Sequence, residues 1–198
     1  MKIRTKQEMK QILQSEAANF FGESTDKLSL KEKIFGIYHL RFPYQTWKFI
    51  RLMIFCNYYE NVKSESLKNK LLYKLYMRKY LNQSIKLGID IGNPQVYEKG
   101  LHIHHPQGIS INYAAKLGKN LQLYGNNCIG VDGKNEKCPK IGNNVILGVG
   151  AKVIGNITLA DNIKVGAGAV VVHSFTEEGI TLIGIPANKK RISSESEK

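Results

Sequence analysis

Across residues 141–176 the hydrophobic positions recur every six residues. Ile141, Leu147, Val153, Leu159, Val165 and Val171 are aliphatic, and four places after each comes Val145, Ala151, Ile157, Ile163, Ala169 or Phe175. A helix repeats near 3.6 residues and a half-buried strand at two, so neither accounts for this period. A solenoid that turns a corner after each short strand does account for it, with one aliphatic of every unit stacked inside.

The same phase runs back through Ile111, Leu117, Leu123 and Ile129, and the interval from Ile129 to Ile141 spans two units. In that interval Asn135 and Pro139 stand where apolar residues belong, and residues 133–137 are polar and begin with glycine, which predicts an excursion loop. Ile91, Tyr97, Ile103 and Ile109 keep the period but are out of phase with Ile111. A two-residue insertion between Ile109 and Leu117 would explain the slip. The predicted fold is mainly β: a left-handed parallel β-helix, the hexapeptide-repeat solenoid, over residues 85–176. An α-helical unit over 1–84 precedes it, and a C-terminal turn and basic tail over 177–198 follow.

The N-terminal unit reads as helices. Met9, Ile12, Leu13, Ala17 and Phe20 are spaced for a helix over 6–20, and a second is expected around 30–40. Pro43 breaks that one, and a helix over 44–59 places Trp47, Ile50, Ile54 and Tyr58 on one stripe. The clearest pattern covers 64–80, with Ser64 as N-cap and Leu67, Leu71, Leu72, Leu75, Tyr76 and Leu81 as its buried face.

Charge sharpens the division. Of the 198 residues, 1–88 hold 17 Lys/Arg against 7 Asp/Glu, whereas 89–198 hold 12 against 9. A basic helical unit is either a solvated face or a surface for polyanions, here peripheral association with an anionic membrane. No nucleic-acid-binding motif accompanies it. Three scattered cysteines are no disulfide framework and suit a reducing cytoplasm. The charged first ten residues predict no signal peptide, and Lys48, Arg51 and Asn57 interrupt the longest apolar stretch, so no bilayer span is expected.

Candidate chemistry gathers between Asp90 and His105. His102, His104 and His105 are three of the five histidines. Ile103 is the inward residue of its unit, so His104 and His105 face outward. Three hexapeptides make one coil, which predicts Asp90 near His105 on the neighbouring coil. An exposed imidazole beside a carboxylate is equipped for general-base catalysis. The rivals are a metal site, as in a γ-carbonic-anhydrase-like enzyme on the same solenoid, and a non-catalytic scaffold. Adjacent outward histidines diverge and no further ligand set follows, which favours a base and no metal.

Gly88-Ile89-Asp90-Ile91, Gly100-Leu101-His102-Ile103-His104-His105, Pro139-Lys140-Ile141-Gly142, Gly148-Val149-Gly150-Ala151-Lys152, Gly166-Ala167-Gly168-Ala169 and Gly184-Ile185-Pro186-Ala187 resemble the motifs of serine acetyltransferases in order and spacing. The closer resemblance is to the serine-acetyltransferase-like O-acetyltransferases associated with surface polysaccharide synthesis. It implies acetyl transfer from acetyl-CoA to a hydroxyl, in a homotrimer with active sites between subunits. By position it makes His105 the general base and Asp90 the acid that holds the base or acceptor, with His104 and His102 as further acceptor contacts. Small residues at Val149, Gly150, Ala151, Ala167 and Gly168 would let a pantetheine arm lie along the backbone, and Lys189, Lys190 and Arg191 would meet the nucleotide phosphates. His104 replaces the family's aspartate before the base, and Cys138 replaces its second active-site histidine. Those departures predict a sugar or glycan acceptor, with the serine acetyltransferase of cysteine biosynthesis as the alternative.

Overall fold

The computed structural model describes residues 1–21, 42–134 and 136–190; the helix expected around 30–40 and the side chains of Phe20 and Arg191 lie outside the described set. Among the described residues, three helices lead into thirteen short strands, numbered in chain order. Parallel pairing arranges twelve of the strands on three faces of a solenoid. The first face holds β1 (Ile89–Ile91), β3 (Ile109–Ile111), β5 (Cys128–Gly130), β8 (Lys152–Ile154) and β11 (Val170–Val171). The second holds β2 (His102–Ile103), β4 (Gln122–Leu123), β7 (Ile146–Leu147), β10 (Lys164–Val165) and β12 (Thr181–Ile183), and β13 (Asn188–Lys189) closes it antiparallel to β12. The third holds β6 (Lys140–Ile141) and β9 (Thr158–Leu159). β12 carries the solenoid beyond its expected end at 176.

The interior is the predicted aliphatic stack. Leu123, Leu147 and Val165 fall in register on one face, Ile129, Val153 and Val171 on another, and all are buried. Each such side chain removed from water contributes roughly 1.5–3 kcal/mol. Coil length is eighteen residues where the repeat is undisturbed, as in Lys152 opposite Val170, and twenty-four where Cys128 meets Lys152. The extra six residues of the longer coil lie between Ile129 and Ile141, where the polar excursion was expected. Asn120, Asn144 and Asn162 hold one corner with positive φ, and their amides bond in a ladder at 2.8 and 3.0 Å.

The first coil requires a correction. Asp90 pairs with Ser110 and His102 with Gln122, so both intervals are twenty residues. Ile103 to Ile109 spans the corner 104–108, whereas the equivalent corners 124–126, 148–150 and 166–168 have only three residues. The two-residue insertion is therefore in the histidine corner, not between Ile109 and Leu117. Periodicity revealed the slip but placed it one unit late, because Ile109 and Ile111 both point inward from β3.

α1 (Lys6–Phe21), α2 (Phe42–Val62) and α3 (Leu67–Leu87) pack on the first coil. Pro43 lies in the first turn of α2, where no N–H is needed. Phe49, Ile50, Met53, Ile54 and Asn57 are fully buried, which makes α2 the central helix. α1 is pinned to the solenoid by Glu16, whose carboxylate accepts from the Tyr97 hydroxyl at 2.8 Å and the Gly100 N–H at 2.6 Å.

α3 departs twice from expectation. Ser66, not Ser64, is the N-cap; its hydroxyl accepts from the Asn69 N–H at 3.1 Å. Of the expected face Tyr76 does pack inward, stacking on Phe55 at 4.7 Å, and Tyr80 joins it by stacking on Phe49 at 5.1 Å and donating its hydroxyl to the Ile91 carbonyl at 2.6 Å. Leu67, Leu71, Leu75 and Leu81 are exposed instead of forming the core.

Candidate active site

Successive coils stack the corners between the second and first faces into one edge of the solenoid. His104, Tyr124 and Gly148 donate their N–H groups to Leu123, Leu147 and Val165, each on the next coil. His104 and His105 therefore lie above Tyr124 and Gly125, these above Gly148 and Val149, and these above Gly166 and Ala167. The backbone binds along the edge: Gly150 donates to the Gly125 carbonyl at 2.9 Å and Gly168 to the Val149 carbonyl at 2.8 Å. With strands about 4.8 Å apart, three steps separate His105 from Ala167 by about 14 Å.

His105 is exposed on the outside of its long corner. Gly125 lies directly against it with a φ of +106°, and a Cβ there would come within 2.9 Å of the His105 carbonyl oxygen. His104 is half-buried and lies flat on the Tyr124 ring, 4.1 Å between centroids, with Nε2 3.3 Å from the Gln122 amide oxygen. His102 faces outward from β2, 4.4 Å from the His104 ring. Burial, and then the His104 ring, hold His102 below the ordinary histidine pKa.

Asp90 is exposed on β1. Because this coil has twenty residues, its fifteen-residue spacing from His105 leaves it opposite Ser110, five residues beyond the histidine. Among the described residues no hydrogen bond or ion pair joins Asp90 to His105. Asp90 lines a groove of about 360 Å³ on the first face with Ser110, Tyr113 and Cys128. A separate groove of about 370 Å³ on the second face is lined by His102, His104, Asn120 and Gln122. His105 occupies the corner between the two faces.

The small-residue patches expected one coil apart do stack. A Cβ on Gly148 would meet the Ala167 nitrogen at 2.7 Å, so only glycine allows the coils to close here. Gly150, Ala167 and Gly168 lie on the open edge, and Val149 is exposed beside them. Ala151 is different: its side chain is fully buried, and its N–H donates to the Gly148 carbonyl. Lys189 is on the β13 hairpin strand, paired with Glu177, and the Lys190 N–H donates to the Thr181 carbonyl at 2.7 Å. Cys138 is buried, which pushes its thiol up and suits it to packing rather than nucleophilic attack.

Tyr124, Gly125, Gln122 and Asn127 are the contributors the sequence did not single out. Asn127 is fully buried; its side chain accepts from the Gly125 N–H at 2.9 Å and donates to the Gly148 carbonyl at 2.8 Å, tying two corners together. Its signal was present, because a polar residue stands where later coils have Ala151 and Ala169. Among the described residues no group of three or more His, Cys, Asp or Glu is arranged to hold a metal ion.

No family profile matches the chain. The serine acetyltransferase of Staphylococcus xylosus is 36% identical over 103 residues, 51% of this chain and 47% of that protein. The matched region thus spans about half the length of the curated relatives. Among solved structures, the serine acetyltransferase of Neisseria gonorrhoeae superposes with a TM-score of 0.63 at 24% identity, covering 98% of this chain and 72% of that one. The fold is that of the serine acetyltransferases. It is the left-handed parallel β-helix that the six-residue period predicts. A serine acetyltransferase solved in complex with CoA matches with a TM-score of 0.54 at 23% identity, over 75% of this chain and 56% of that one. The Neisseria gonorrhoeae protein has also been solved with serine; that structure matches at 24% identity with a TM-score of 0.60, over 90% of this chain and 69% of that one.

Proposed function

We propose that the chain transfers an acetyl group from acetyl-CoA to a hydroxyl, with His105 as general base. The observation that carries this reading is the single edge on which His105, Gly125, Gly150 and Gly168 follow one another. Its lower part is a strip of small residues along which a pantetheine arm can approach the backbone, and its upper end presents an accessible imidazole. The reaction balances without a covalent enzyme intermediate. His105 takes the acceptor's hydroxyl proton as the oxygen attacks the thioester carbonyl, the C–S bond breaks, and the imidazolium returns the proton to the CoA thiolate. Asp90 and His104 flank the acceptor from the two adjoining faces, and Lys189 and Lys190 supply positive charge towards the nucleotide phosphates.

The acceptor supported by the relatives is serine, since the curated matches are serine acetyltransferases. A sugar hydroxyl, the acceptor expected from the sequence, is the second reading. One observation favours it: buried Cys138 stands where the resemblance places a second substrate-holding histidine. The groove is open in one chain, and a homotrimer whose neighbouring copy closes it completes the proposal.

The deciding assay measures CoA release from acetyl-CoA with serine and with a panel of sugars and nucleotide sugars. Turnover with serine supports the leading reading, and turnover with sugars alone supports the second. His105→Ala should reduce either by about 10²–10⁴. Undiminished turnover in a folded His105→Ala protein would overturn the assignment of the base.

A further inference from the structure

We infer that the outer face of α3 is a docking surface for an anionic lipid membrane. This goes beyond acetyl transfer and does not depend on it. Leu67, Leu71, Leu75, Leu81 and Ile85 are 73%, 58%, 46%, 51% and 80% exposed. Leu67 and Ile85 are eighteen residues apart, five full turns at about 3.6 residues per turn, so they point the same way at the two ends of the helix. Leu71 and Leu81 flank that line, and Lys74 and Arg78 occupy its middle. The line is about 27 Å long, apolar towards both ends and cationic in the middle, and lies opposite the aromatic face that packs on α2.

Charge selects the occupant. Lys68, Lys70, Lys74, Arg78, Lys79 and Lys86 lie on this helix, and it has no Asp or Glu. A second copy of the same face would bring like charges together with no anion to pair them. Residues 22–41 of this chain offer no better complement, with four Lys/Arg against three Asp/Glu. An anionic bilayer satisfies both features: leucines enter the headgroup–acyl boundary, while long basic side chains keep their charges among the phosphates. Among the described residues no helix is long and apolar enough to cross a membrane, so α3 would lie along the surface.

The test is flotation of the full-length protein with phosphatidylcholine vesicles, with and without phosphatidylserine, across a salt series. Binding should require phosphatidylserine and weaken as salt shortens the Debye length. The double variant Leu71→Ser/Ile85→Ser, which keeps every charge, should lose at least about tenfold in vesicle binding, with unchanged circular dichroism and CoA release. Absent binding, or equal binding to neutral vesicles, would overturn the inference. So would unchanged binding by the double variant, which would mark a charge-only polyanion site such as one for nucleic acid. A change in oligomer mass of that variant by light scattering would overturn it as well, by assigning the face to a second copy.

Discussion

A side-chain carbon on Gly125 would lie 2.9 Å from the carbonyl oxygen of His105 and 3.0 Å from its Cβ. The corner carrying the proposed base therefore rests on a residue with no side chain, at a φ that L residues rarely adopt. Gly125→Ala should move His105 off its position by a fraction of an ångström or more. The expected result is a fall in kcat of up to about 10²-fold with KM little changed, since misplacement of this size acts on the reacting geometry. Wild-type kcat in Gly125→Ala would show that the contact does not position the histidine.

Asn127→Ala should destabilise the solenoid without touching the reacting groups. The Gly125 N–H and the Gly148 carbonyl would each lose a partner within the corner stack. The Gly148 carbonyl keeps the Ala151 N–H, whereas the Gly125 N–H is left unsatisfied, which costs about 1–3 kcal/mol. Denaturant unfolding measures it, and a change below a few tenths of a kcal/mol would mean that water replaces the amide.

His102 should make the protein less stable in mild acid. Its folded pKa is held below the usual value by burial and then by His104, so between the two values the unfolded chain binds more protons than the folded one. The contribution is complete above about pH 6.5 and is lost as pH falls from there towards the lowered folded value. Thermal unfolding at pH 7 and pH 5 should show a smaller pH dependence in His102→Gln than in the wild type. Equal slopes would assign the acid sensitivity to other groups.

Ser66→Ala should destabilise the helical unit by about 1 kcal/mol, through loss of the cap on the Asn69 N–H. Ser64→Ala, two residues earlier and outside the helix, should have little effect. Urea midpoints of the two variants decide which serine begins α3.

The solenoid was legible from the linear pattern because a six-residue period admits few packings. Each unit has one large aliphatic, and only stacked coils bury them all at once. The excursion between Ile129 and Ile141 could be read for the same reason, since polar residues at apolar phases cannot remain inside. His105 emerged from its outward phase. Gly125 did not, because its role depends on which corner it lies beneath, and residues twenty apart become neighbours only when the coil length is known.

Two matters were decided by tertiary packing alone. The slip between Ile103 and Ile111 is visible in the sequence, but two inward isoleucines on one strand hide which corner absorbs it; strand pairing locates it at the histidines. Along residues 67–87, an aliphatic line at Leu67, Leu71, Leu81 and Ile85 and an aromatic stripe at Tyr76 and Tyr80 are both spaced for burial. Helical periodicity cannot rank two such faces. The rings of Phe49 and Phe55 on α2 do, because they stack on the tyrosines and leave the leucines outward among lysines.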